Sequence, residues 1–363
     1  MNRSFDLVIV GAGIVGCMVA YFSRQVLDRR RVLIVDHGFV ASGTTGHSPG
    51  HCHPQGFDAR QRDLTDRSIA FFEAAAPKLP PALFRRKRLF GVVARERAAS
   101  VVGSYVRGQP RIADADRARQ ICGSLGLTID PGQDIHCDGF TFFGQPVAIA
   151  HHLAKSFVSE GGSLWEGRHV SGIEEDGSRW RLVLADGQTV SSERVVVSIG
   201  PWLSGSALAA PFKEVPFRRK KVCALHVYAE LPEDAPLIYF HDDDSYLMPR
   251  DDLGYWIFSF ASPDWDCALS PASLVIDERD RQIALSVLKK YRDDMVELAT
   301  GGRLGCDSYA PDFNPGAWPD ASGRVVLAGL GSGYGFRLSP AVAADALNLL
   351  FPGADVRTER GLE

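Results

Sequence analysis

The sequence has no apolar run near the ~18–20 residues that a bilayer span needs, so no membrane-crossing helix is expected. It also lacks a basic excess. Lys+Arg 40 against Asp+Glu 44 leaves a net charge of −4, which argues against nucleic acid or an anionic membrane as a partner. There is no Cys-x-x-Cys pair. The seven cysteines are scattered and odd in number, a pattern of reduced thiols in the cytoplasm. Met1–Asp6 runs straight into a strand pattern without a signal-peptide h-region, which agrees with that location. No fixed-period repeat and no low-complexity linker is visible. What is present is an ordinary globular composition, 45% hydrophobic and 23% charged over 363 residues. That length fits two domains at ~100–200 residues each. Glycine is plentiful, at 36 residues, and clusters at a few places where backbone is expected to approach a ligand.

The first such place follows Phe5–Val10 (FDLVIV), a run suited to a strand buried on both faces. Gly11-Ala12-Gly13-Ile14-Val15-Gly16 comes next, then a helical pattern from Ile14 to about Asp28, then a second buried strand ending at Asp36. Gly11 permits a tight turn, Gly13 close backbone approach to a pyrophosphate, and Gly16 close helix–strand packing. The helix N-terminus offers free N–H groups to phosphates, and the Asp36 carboxylate suits ribose hydroxyls. Strand, glycines, helix, strand and acid in that order are specific for a dinucleotide.

A second junction lies near the other end. Arg324–Gly329 reads as a buried strand and opens into Leu330-Gly331-Ser332-Gly333-Tyr334-Gly335-Phe336-Arg337-Leu338. Ser339-Pro340 is expected to start a helix, with Ser339 as its cap. Between the two junctions, residues 148–160 read as a helix, and 169–173, 179–184 and 194–199 as strands, with a hairpin turn at Asp186-Gly187. One ligand gripped from both chain ends is the implication. A helix N-terminus there suits the N1/C2=O edge of a flavin.

These motifs resemble the FAD-dependent D-amino-acid oxidase family, in its glycine oxidase and sarcosine oxidase branch. Val8–Gly16 (VIVGAGIVG), Ala41–Gly46 (ASGTTG), Val195–Trp202, Ala310–Pro315 (APDFNP) and Gly331–Pro340 match its segments in order. The resemblance implies an α/β fold, with a discontinuous Rossmann-like FAD-binding domain and a smaller α+β substrate domain whose antiparallel sheet roofs the flavin. The expected division is 1–78, 146–205 and 300–363 for FAD, and 79–145 and 206–299 for substrate. It further implies oxidation of a C–N bond of an amino acid or secondary amine by hydride transfer to flavin N5, then imine hydrolysis, with oxygen or another acceptor taking the electrons. A homo-oligomer is compatible with it. Alternatives are an FAD-dependent 2-hydroxy-acid dehydrogenase and a flavin-binding subunit of a larger dehydrogenase.

On this placement the expected cofactor contacts fall in four groups. Gly11, Gly13, Ile14, Val15 and Gly16 hold the pyrophosphate, with Asp36 and His37 at the ribose. Ser42, Thr44, Thr45, Gly46 and His47 form a loop against the flavin. Val170, Ser198, Gly200 and Trp202 come from the central strands. Gly331, Gly333, Tyr334, Gly335, Phe336, Arg337 and Leu338 complete the site. Arg337 stands where the sarcosine oxidase branch has a carboxylate-binding lysine, and it is the expected substrate anchor. His51 and Tyr246 are expected to orient the amine. Arg250 lies on the same strand face as Tyr246, though it reads equally as a turn residue at the surface.

Asp307 occupies the place of the family's substrate-binding arginine, where a carboxylate would repel an amino-acid carboxylate. Cys306 lies near the position where one branch tethers its flavin, which leaves both a covalent and a non-covalent cofactor open. The histidines at 47, 51 and 53 with Cys52 invite a metal, but the loop matches a flavin-contacting segment, and no metal is expected. The basic run Phe217–Val222 reads as a solvated strand edge.

Overall fold

The computed structural model describes residues 3–270 and 273–359 and contains two sheets. The first has five parallel strands side by side: Val325–Gly329, Thr189–Val197, Arg3–Val10, Val32–Val35 and Ser163–Trp165. Gly316–Pro319 pairs antiparallel at one edge, and the hairpin Val170–Asp176/Arg179–Leu184 extends from Thr189–Val197. The β-branched residues of the central strands are fully buried because both faces are covered. Helices Ile14–Phe22, Pro146–Ser159 and Gly335–Leu350 pack on one face through Met18, Phe22, Phe157 and Leu347. Trp180, Leu182, Leu203 and Phe212 cover the other.

Two helices depart from the sequence pattern, each for a local reason. The first ends at Phe22 rather than near Asp28, and passes into a 3₁₀ turn over Ser23–Gln25. Buried Ser23 donates its hydroxyl to Ala20 O at 2.7 Å and competes with the helical ladder. Asp28 instead caps the next turn through Arg30 N. The last helix begins at Gly335, well before Ser339-Pro340. Pro340 has no N–H for Phe336 O, but the Ser339 hydroxyl donates to that carbonyl at 2.9 Å. The helix therefore survives its proline and carries its N-terminus back to Gly335.

The second sheet runs Ala299–Tyr309, Arg218–Val227, Tyr255–Phe260, Ser245–Arg250, Leu237–Phe240, Phe84–Ala94, Gln133–Gly144 and His51–Cys52, with Arg111–Ile112 attached to Gln133–Gly144. Two of its strands come from segments that the expected division gave to the nucleotide domain. His51–Cys52 pairs with Phe142 and Phe143, and Ala299–Tyr309 pairs along the whole of Arg218–Val227. Arg218–Val227 is thus an interior strand and not a solvated edge. Of its basic run, Lys221 turns into the protein, with its side chain only 4% exposed, and bonds Asp264 at 2.6 Å and buried Asp280 at 2.8 Å. Burial pulls its pKa down, but the two carboxylates more than offset this and hold the ammonium above its usual range. Lys221→Ala leaves a buried acid without its cation. It is expected to cost about 3–5 kcal/mol, to be read as the change in unfolding free energy in urea.

Candidate active site

One cavity lies between the two sheets, and both glycine-rich junctions open into it. At the first, Gly11 has φ +110°, and a Cβ there would stand 2.5 Å from Ser198 O. The Ser198 hydroxyl donates to Val10 O and Gly11 O, which fixes the turn against the neighbouring strand. The Thr45 hydroxyl accepts from Ile14 N at 3.0 Å, which docks the small-residue loop on the helix N-terminus. The Asp36 carboxylate accepts from Ala12 N at 2.6 Å and from Gly38 N at 2.7 Å. Both oxygens are therefore fixed in the cavity wall, and each keeps a lone pair for a ribose hydroxyl. His37 lies 3.4 Å from Asp36 and near the Trp202 ring.

At the second junction the chain turns through positive φ at Gly329, Leu330, Ser332 and Gly333. Such backbone persists only where its surroundings over-determine it. Here Ser332 N donates to Ser308 O, Ser332 Oγ accepts from Ala310 N, and Gly333 N donates to Asp307 Oδ2 at 2.7 Å. Asp307 also accepts from Ser308 N at 2.8 Å. Asp307 is thus the acceptor that holds the glycine loop in shape, and it also lines the cavity.

Burial pushes the Asp307 pKa up to about 6, against the two backbone bonds that lower it. The folded protein then keeps a proton that the unfolded chain gives up near 3.8. The stability from this group is complete below that pH and is lost as pH rises through about 6. Asp307→Asn is expected to flatten the fall in unfolding free energy between pH 4 and 7, by about 3 kcal/mol at most. An unchanged slope in a pH series of urea titrations would contradict this.

The roof over the cavity is a row of residues in register across five strands: Arg303, Ala224, Ser259, Tyr246 and Tyr239. His51 packs its ring edge-on to Tyr246, with centroids 4.4 Å apart, and stacks on His53 at 5.2 Å. Burial, with Arg337 nearby, lowers the His51 pKa to about 3, so the imidazole is neutral. Burial likewise pushes the Tyr246 hydroxyl up to about 12 and keeps it a donor. Arg337 is 3% exposed and lines the same cavity. Its Nη1 donates to His53 O at 3.1 Å, and its guanidinium lies over the Tyr334 ring at 4.4 Å. Its Nε and Nη2 have no partner. These two atoms form one edge of the guanidinium, with the spacing of a carboxylate's two oxygens.

Most sequence-assigned positions come together in this cavity, but several do not. Arg250 faces elsewhere, because Asp252 in the following turn holds it through bonds of 2.7 and 2.9 Å. Gly16 and Gly46 act behind the wall: a Cβ at Gly16 would stand 1.9 Å from Gly11 O, and Gly46 N closes a turn on Gly43 O. The Val170 and Leu338 side chains belong to the hydrophobic cores. Cys306 is also off the wall, its sulfur 3.2 Å from that of Cys267. Cys52 is fully buried in a core cluster. Arg303, Tyr239 and Asp244 line the cavity without having been singled out by sequence. For Arg303 the signal was strand parity, since residues 303, 305 and 307 share one face of an extended strand.

The wall suits a flavin dinucleotide. Gly200, Gly329 and Gly335 border the cavity with open space where a Cβ would stand, so the backbone leaves a cradle for a flat, extended ligand. Two helix N-termini, at Ile14 and Gly335, end at it.

Solved structures share this architecture. L-proline dehydrogenase from P. horikoshii superposes with a TM-score of 0.79 at 17% identity, covering 99% of this chain and 98% of that one. Glycine oxidase from Geobacillus kaustophilus gives 0.76 at 19% identity, with all of both chains covered. L-alpha-glycerophosphate oxidase from Mycoplasma pneumoniae, with FAD bound, gives 0.78 at 15% identity, covering 99% of each chain. No curated protein matches the sequence. The family model for FAD dependent oxidoreductases (DAO) matches residues 6–348, nearly the whole length, and the chain belongs to that family as an FAD-dependent oxidoreductase.

Proposed function

We propose that this enzyme oxidises the C–N bond of an amino acid or secondary amine that carries a carboxylate. The observation that carries this reading is Arg337, a buried guanidinium in the cavity wall whose Nε and Nη2 have no partner, with His51 and Tyr246 on the same wall. A buried guanidinium without an acid is costly, and a substrate carboxylate satisfies both donors at once.

FAD supplies the two-electron acceptor for the reaction. Residues around Ile14, Asp36, Ser198 and Gly335 would hold it, as their positions on the wall allow. Arg337 fixes the carboxylate and so sets where the α-carbon lies. Neutral His51 accepts a hydrogen bond from the substrate amine, and the Tyr246 hydroxyl donates to the carboxylate or amine. Hydride loss from the α-carbon needs the amine lone pair free. A neutral imidazole and an un-ionised phenol favour the uncharged amine, because neither adds an anion that would retain its proton. Glycine and N-methylglycine are the smallest substrates of this kind.

The test is the absorption spectrum of the purified protein under anaerobic addition of amino acids, N-alkyl amino acids and 2-hydroxy acids. Bleaching by amines with release of a carbonyl product supports the proposal. Bleaching by hydroxy acids alone assigns C–O oxidation instead. Bleaching by none, in a protein that holds FAD, removes this reading. Acid precipitation shows whether the colour stays with the protein, and the position of Cys306 predicts that it does not.

A further inference from the structure

A second arginine of the cavity is also without an acid. Arg303 donates through Nη1 to Ser48 O at 3.4 Å, and its Nε is buried without a partner. Neither it nor Arg337 takes part in an ion pair among the described residues. The acids of the wall are engaged elsewhere. Asp36 holds the first glycine turn, Asp307 holds the last, and Asp244 accepts from the Tyr239 hydroxyl at 2.8 Å.

Arg303 stands at one end of the roof row, and Arg337, on the helix Gly335–Leu350, lies toward the Tyr239 end. Arg337 reaches the cavity beside His51, and Tyr246 packs on His51. Arg303 lies three strands away from Tyr246 in the same cross-sheet row, roughly 14 Å between backbones at ~4.8 Å per strand. The two residues between them, Ala224 and Ser259, are small and line the cavity. The row therefore has a shallow middle, with one cation at the far end and another beyond the near end. Burial lowers the Arg303 pKa first, and Arg250 adds to this, while Tyr255, Tyr246 and Asp252 oppose it.

We propose that the enzyme takes a substrate with an acidic group at each end, a dicarboxylic amine or imine-forming diacid, held by Arg337 at one end and Arg303 at the other across the trough of Ala224 and Ser259. The proposal rests on the reading of Arg337 as the substrate anchor, and it adds the second anionic group. A single carboxylate leaves Arg303 unpaired in a half-buried wall, whereas a diacid completes both guanidinium sites. The carbon that reacts then lies between the anchors, next to His51 and Tyr246.

The test uses the FAD-containing enzyme and two ethers that have no nitrogen to oxidise, oxydiacetate with two carboxylates and methoxyacetate with one. Binding is measured by calorimetry. The diacid is expected to bind about 10- to 100-fold more tightly, the worth of one charged hydrogen-bonded pair. That margin is expected to fall below about threefold in Arg303→Met and to be partly kept in Arg303→Lys, as a charged pair predicts. Equal affinity of the two ethers for the unaltered enzyme overturns the proposal without any variant. A margin untouched by Arg303→Met overturns it too. If no amine bleaches the flavin but the margin holds, the oxidation reading fails and the dianion site stands. If amines bleach it and the margin is absent, the reverse is true.

Discussion

Gly16→Ala is expected to give a nearly colourless protein. The added Cβ would lie 1.9 Å from Gly11 O and 2.8 Å from Ser198 Oγ, and neither neighbour has room to yield. Gly11 is itself pinned by Gly11 N donating to Val35 O, and Ser198 by its two bonds to the same turn. The helix Ile14–Phe22 must move off the sheet, and its N-terminus moves away from the pyrophosphate. Overpacking of this kind costs about 1–3 kcal/mol in stability. The loss in cofactor affinity is expected to be larger, about 100-fold or more, because several N–H contacts are displaced together. The ratio of flavin to protein absorbance after purification, and titration of the stripped protein with FAD, measure it. Gly123→Ala is the control. Gly123 is an exposed helical glycine with nothing within 4 Å of the new Cβ, and the change is expected to leave colour intact and raise stability by roughly 0.5–1 kcal/mol. Equal flavin content in the two variants would refute the packing argument.

Arg337→Met is expected to separate stability from activity. In the protein without substrate, the guanidinium is a buried cation whose pKa is lowered first by burial, with two donors unmet. An apolar side chain of similar length relieves that desolvation, so the variant is expected to melt at a higher temperature, by about 1–3 kcal/mol of added stability. Turnover moves the other way. Loss of a buried bidentate partner to a substrate carboxylate costs about 3–5 kcal/mol, or roughly 10²–10⁴-fold in kcat/KM. A third reading comes from His51, whose low pKa owes part of its depression to Arg337. Without the cation, the imidazole pKa is expected to rise, and NMR titration of the ring follows it. Lower activity with unchanged or reduced melting temperature would mean that Arg337 is a structural cation and not an anchor.

How much of this was legible in the sequence depends on how local each feature is. The first nucleotide unit reads directly because strand, turn, helix and acid lie within 36 residues. Arg337 was legible too, through the resemblance that places it where the sarcosine oxidase branch has a lysine, and it does line the cavity. The start of its helix was not. A Ser-Pro pair usually marks a first turn, and only the Ser339 hydroxyl, bonded to Phe336 O, shows why the helix passes through it. The basic run at 218–221 reads as an edge until Ala299–Tyr309 is seen beside it, and that pairing spans about eighty residues. Arg303 reaches the cavity through register with a strand some eighty residues earlier, and Tyr239 through its pairing with Tyr246. Arg250 has the right parity for the cavity, but a carboxylate two residues later holds it away.

The strand Ala299–Tyr309 is hydrogen-bonded into the roof, yet it is also sewn to the floor. Thr44 Oγ1 donates to Cys306 O, Arg303 to Ser48 O, Gly333 N to Asp307, and Tyr309 bridges to Gly331. Roof and floor share one backbone for much of the site's length, so the molecule has no clamshell to open along this side. The separation of the two sides of the cavity is therefore expected to be set at folding and not by rigid-body closure in each cycle. Traffic of reactant and product must pass through movements of side chains and short loops. A tether locking the two halves together is therefore expected to leave the catalytic cycle running at nearly its normal pace.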